Sequence, residues 1–167
     1  MSQPQATTVV RRAEPCEAAT IKPLLNSSMR ELDPFTHPTS DDPSTPDYPY
    51  FDSYWSEAGR TSYLIQSGDQ TAGFALIRTP ASTHSAFHQV AEFYIDSNFR
   101  RARIRTQAIQ QIWQHHPDPW QPRYHPANIN AARFWTQLTN AASTTPPLKI
   151  QPSAHETQLT FSIPPRP

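Results

Sequence analysis

The sequence predicts an α+β chain in which helices pack on a mixed, mostly antiparallel central sheet. Three observations carry this. Short apolar and aromatic runs, Thr61–Gln66, Thr71–Arg78 and His88–Asp96, read as strands. Apolar residues recur every three to four positions over Cys16–Leu32, Ile104–Trp113 and Asn128–Leu138, the period of a helix buried on one side. The elements then follow in the order β-α-α-β-β-β-α-β-α-β, and 167 residues suit one hydrophobic core.

Taken in order, residues 1–8 are polar and read as a disordered start, residues 9–163 as one domain and 164–167 as a tail. Val9–Ala13 reads as a first strand. Glu14-Pro15 opens a helix whose apolar positions are Ala18, Ile21, Leu24, Leu25, Met29 and Leu32. Pro34 is expected to stop it, and the proline-rich 33–49 stretch to form a loop. Tyr50–Trp55 suggests a short aromatic helix. Ser67-Gly68-Asp69-Gln70 between two strand patterns is a hairpin signal. Pro117-Asp118-Pro119 ends the third helix, Trp120–His125 reads as a strand, and Asn128 caps the fourth helix. Ala141–Pro152 carries little pattern, and Gln158–Ile163 alternates as a last strand.

Composition narrows the functions available. The chain has 19 prolines but 3 glycines, which leaves no room for a Walker loop or a dinucleotide fingerprint. One cysteine, Cys16, excludes an internal disulfide and a Cys-rich metal site, and an early helix turn suits it as a small buried hydrophobe. No metal site is expected, since His115, His116 and His125 match no ligand spacing; the first two suit a helix C-terminus. No apolar run approaches the roughly 20 residues of a membrane span, and Met1–Thr8 lacks a signal-peptide core. A soluble, cytoplasmic protein without a membrane partner is expected.

Net charge is zero but polarised: residues 1–96 hold 12 acids and 6 bases, residues 97–167 hold 2 acids and 8 bases. Four arginines fall within Arg100–Arg105. The shortness of that cluster and the zero net charge argue against nucleic acid as a partner.

Over Ala91-Glu92-Phe93-Tyr94-Ile95, then Arg100-Arg101-Ala102-Arg103-Ile104-Arg105, and again over Asn128-Ile129-Asn130-Ala131-Ala132-Arg133-Phe134-Trp135, the chain resembles the GCN5-related N-acetyltransferases (GNAT). Asp33-Pro34-Phe35 and Tyr48–Trp55 are similar to a bacterial subgroup of acetyltransferases in that family. The resemblance spans about Val9 to Ile163 and implies the acyl-CoA N-acyltransferase fold. It also implies acetyl-CoA as co-substrate, with a small amine or a protein amino group as acceptor, and a homodimer as one assembly state.

Site residues follow from the same resemblance. The loop into the third helix implies a diphosphate site formed by Arg100, Arg101, Ala102, Arg103, Ile104 and Arg105, since a helix N-terminus offers free N–H groups to an anion. Phe93, Tyr94 and Ile95 would flank the thioester; Asn128 and Phe134 are further candidates for cofactor contact, Phe134 and Trp135 suiting either the core or an apolar wall that faces the cofactor. Glu92 is the candidate base, and a backbone N–H near Tyr94–Ile95 would polarise the carbonyl. Asp33, Asp47, Asp52, Tyr48, Tyr50 and Tyr54 are candidates for a cationic acceptor, by charge pairing and cation–π contact. The chain departs from the motif where the family has glycine, at Arg103 and Arg105. Their guanidinium groups either grip phosphate or fill the loop. The second alternative describes a non-catalytic binding or regulatory protein that has lost coenzyme A. The turn where the family often carries a tyrosine acid holds Phe134-Trp135, which leaves Tyr94 or Tyr124 as substitutes.

Overall fold

A computed structural model of the chain describes residues 6–36, 48–81, 87–117 and 119–163, without the side chains of Arg101 and Ala102. Two antiparallel sheets are present among these residues. The first runs β1-β2-β3-β4, built from β1 (Thr8–Arg12), β2 (Arg60–Ser67), β3 (Gln70–Arg78) and β4 (Gln89–Ile95). The second runs β5-β7-β6, built from β5 (Arg123–Tyr124), β6 (Leu148–Ser153) and β7 (Glu156–Thr160). Gly68 takes a positive φ of 61° in the β2–β3 hairpin, as the turn signal requires.

Apolar alternation on the first sheet feeds two cores. On one face Tyr63, Ala75, Ile77 and Ile95 pack against α3 (Ile104–His115) and α4 (Ile129–Ala142) through Ile109, Ile112, Trp135 and Leu138. On the other face Leu64, Phe74, Leu76 and Tyr94 meet α1 (Ala18–Thr36) through Ile21 and Leu25, and α2 (Ser53–Ser56) through Tyr54. Gly73 permits the close β3–β4 approach, because a Cβ there would collide with the Tyr94 carbonyl oxygen.

Several expectations are corrected. Helix α1 continues through Pro34 to Thr36. Proline there forfeits only the bond its N–H would make to the Arg30 carbonyl, near the end of the helix where such a loss costs least. Strand β1 starts at Thr8, which is buried, so the ordered chain begins before Val9. Cys16 is exposed in the Pro15–Glu17 turn of 3-10 helix that precedes α1. The low-pattern stretch before the last strand contains β6, whose six residues are all exposed. Residues 37–47, with Asp41, Asp42 and Asp47, lie outside the described residues. No described helix is long and apolar enough to cross a membrane.

Candidate active site

The site begins where the two sheets meet and part. The His88 N–H donates to the Pro119 carbonyl at 2.8 Å and the Gln121 N–H to the His88 carbonyl at 2.8 Å, a parallel bridge between His88 and Trp120. Beyond it β4 and β5 diverge. A β-bulge at Ala91 separates the bridged end of β4 from its open end, since Leu76 pairs with Glu92 but Ile77 with Val90.

The open edge of β4 can be read from its register. The Asp96 N–H bonds the Ala72 carbonyl, so residues 92, 94 and 96 form the hydrogen-bonded pairs with β3. Phe93 and Ile95 therefore turn their backbone groups outward, into a cleft of about 1050 Å³ between β4, β5, α1 and α4. The Ile95 carbonyl is taken by Arg100 Nε at 2.8 Å. The outward N–H groups belong to Phe93 and Ile95, whereas that of Tyr94 faces β3.

Asp96 accepts from the Asn98 N–H at 2.9 Å and starts a 3-10 turn, Ser97–Ala102, that leads to Arg103 and then α3. Arg103 is exposed and sits in the left-handed region at φ 58°, ψ 11°, a conformation that ordinarily favours glycine. The backbone path of a glycine is thus kept with an arginine in place. Arg105 lies in ordinary helix, and its half-buried guanidinium rests over the Phe134 ring at 4.2 Å, inside the cleft. It has no carboxylate partner among the described residues. Burial, and then the nearby Arg100, hold its pKa below the usual guanidinium value. Arg100 is already committed: Nη2 reaches both Glu31 carboxylate oxygens at 2.7 and 2.8 Å. Ile104 is buried in the core rather than presented to the cleft.

Glu92 lines the cleft, and burial alone pushes its carboxyl up to about 7. Tyr124, on the facing strand, also lines the cleft; its hydroxyl is buried without a partner among the described residues. Tyr94 donates weakly to Glu31 at 3.4 Å and lies under the Arg100 guanidinium. Phe134 stacks on Phe93 with centroids 6.3 Å apart, which makes an apolar wall. Asn128 caps α4 by accepting from the Ala131 N–H at 3.0 Å and also borders the cleft.

The expected acceptor residues that are described do not line the cleft, although burial and then the charge of Glu92 push the Tyr48 hydroxyl up, which sets Tyr48 near the candidate base. Tyr54 is 3% exposed, in the core, and neither it nor Tyr48, Tyr50 or Asp33 lines the cleft. Arg60 already covers the Tyr50 and Tyr54 rings at 5.2 and 5.3 Å. Sequence reasoning missed instead the α1 residues Glu31 and Phe35, and Arg123, His125 and His155, which complete the cleft. Phe35 was visible as an aromatic next to Pro34, but only the longer α1 brings it opposite His125, at a ring distance of 6.0 Å.

No protein-family model matches the chain, and no curated protein matches it in sequence. Solved structures do. The chain is similar to a GNAT-family acetyltransferase from Listeria monocytogenes at 11% identity, covering 93% of this chain and 95% of that one, TM-score 0.67. It is similar to Arabidopsis thaliana NAA60 in complex with acetyl-CoA at 10% identity, covering 94% and 100%, TM-score 0.60. A ribosomal-protein-alanine N-acetyltransferase from Brucella melitensis matches at 17% identity over 65% of this chain and 71% of that one, TM-score 0.52. The fold is therefore an acyltransferase fold, two sheets parted beside a helix N-terminus. Specifically, it is the fold of the GNAT acetyltransferases.

Proposed function

We propose that the protein is an acetyl-CoA-dependent N-acetyltransferase working by direct attack of an amine. The observation that carries this reading is the place of Glu92, a half-buried carboxylate lining the cleft on a strand parted from its neighbour, where burial pushes its carboxyl up to about 7. A base with that pKa takes a proton from an ammonium group at working pH without being permanently protonated itself.

The residues around it suit the remaining needs. The outward N–H groups of Phe93 and Ile95 can bond an acyl-donor arm lying along β4 and polarise its carbonyl. Phe134 and Phe93 exclude water. Tyr124 supplies the proton that a departing thiolate takes up when the C–S bond breaks and the C–N bond forms. The first turn of α3 offers N–H groups to a diphosphate, and Arg105 adds a guanidinium without a carboxylate of its own.

The test is calorimetric titration with acetyl-CoA, followed by thiol release in the presence of a panel of primary amines. Saturable binding with amine-dependent release is expected. Absence of binding at millimolar acetyl-CoA overturns the reading.

A further inference from the structure

A second pocket, about 450 Å³, opens at the other end of the same sheet face, and its chemistry is cationic. Among the described residues Arg60, Arg78 and Arg123 line it against one carboxylate, Glu57, which already pairs with Arg60 at 3.0 Å. Arg123 reaches Glu156 at 3.3 Å through Nη1, yet its buried Nε has no partner among the described residues. Arg78 has no carboxylate partner among them; its Nε donates to Gln89 Oε1 at 2.7 Å. That bond fixes the Gln89 amide orientation and leaves Nε2, on a side chain 1% exposed, as an orphaned donor. Two buried donors without acceptors, Gln89 Nε2 and the Nε of one of the three guanidinium groups, are costly unless an anion meets them.

The pocket's position relative to Glu92 follows from the ladder. Arg60, Arg78 and Gln89 form one cross-strand row, and Ser62, Leu76 and Glu92 form another. The rows are two residues apart on β3, about 7 Å. The bulge at Ala91 is what puts Gln89 and Glu92 on the same face, because without it three positions along β4 would oppose them. Arg123 lines both this pocket and the cleft, so the two are neighbours.

We infer that this pocket binds a carboxylate carried by the acceptor, so that the substrate class is a primary amine with an acid group several bonds from its nitrogen. This rests on the acetyltransferase reading for its role, while the anion site itself stands on geometry alone.

Two probes separate the questions. In thiol-release kinetics, 6-aminohexanoate is expected to have a KM at least tenfold below that of hexylamine, with similar kcat. Arg78→Gln should raise the KM for 6-aminohexanoate to that of hexylamine and leave hexylamine kinetics unchanged. Independently of turnover, hexanoate titrated into the wild-type protein should shift the Gln89 side-chain amide and Arg78 Nε–H resonances saturably. If hexanoate binds there but no amine is acetylated, the pocket stands and the enzyme reading falls. If hexanoate leaves those resonances unmoved, or hexylamine matches 6-aminohexanoate in KM, the inference is overturned.

Discussion

Arg100 clasps Glu31 across the mouth of the cleft, one guanidinium nitrogen meeting both carboxylate oxygens at 2.7 and 2.8 Å, while its Nε holds the Ile95 carbonyl. The contact ties the loop before α3 to α1 and spends the charge of the motif's first arginine within the protein. Side chains here are 36% and 50% exposed, so water screens the pair. A double-mutant cycle with Arg100→Ala and Glu31→Ala, read by chemical denaturation, should give a coupling below about 1 kcal/mol. A value above about 2 kcal/mol contradicts that assignment.

Glu92→Gln should lower kcat by about 10²–10⁴-fold. In the wild type, kcat/KM should rise with pH through a value near 7 and then level, because the deprotonated carboxylate is the working form. Stability moves the opposite way. The folded state holds this proton up to about 7 whereas the unfolded chain releases it near 4.5, so stability present below pH 4.5 is lost as pH rises through 7. The Gln variant should therefore be more stable than wild type at pH 8, by about 3 kcal/mol, and equal to it near pH 4. Parallel denaturation curves at both pH values decide this.

Replacing Arg103 by glycine relieves a left-handed residue at φ 58°. The expected gain is about 1 kcal/mol, lessened by the greater freedom glycine has when unfolded. Thermal melting checks it, and a lower Tm would mean that the Arg103 side chain contributes more than its backbone costs.

Arg105→Ala removes a guanidinium that faces the cleft without a carboxylate. Acetyl-CoA affinity should fall about tenfold, as for a lost charge-assisted bond, and the remaining binding should depend less on salt. Tighter binding by the alanine variant would identify Arg105 as an obstruction over Phe134.

Tyr124→Phe keeps the ring and removes the hydroxyl that lacks a partner. A fall in kcat of about 10–100-fold with little change in KM is expected if that hydroxyl delivers the proton. Unchanged kcat would clear it of the role.

The strands and helices were legible wherever one side of an element is buried. Ile109, Ile112 and Trp113 on α3 announce their face in the sequence, and so do Leu64, Phe74 and Leu76 on their strands. Strand β6 was not, because Leu148 and Ile150 are exposed and nothing in Leu148–Ser153 records which side faces inward. Pro34 was read as a stop because local rules cannot see that it falls within the last turn of α1. At the site, the family resemblance pointed to Glu92 and the arginine loop, and of these Glu92, Arg100 and Arg105 border the cleft. The acceptor side could not. Asp33 and the tyrosines share one stretch of chain, but packing sends Tyr54 into the core and seats Arg60 over it. Arg78, Gln89 and Arg123 come together only through strand register and the meeting of two sheets, which no window of sequence contains.

Trp120, wholly enclosed, exchanges both backbone bonds with Phe161 on one side, and on the other its neighbours Pro119 and Gln121 bond His88. It is the spine of an open book whose leaves are the two sheets, with the gap between the pages set at that single rung. Changes far out on either leaf therefore alter what is gripped without altering how wide the book stands open, whereas a smaller residue at the spine would change the opening and leave each page as it was.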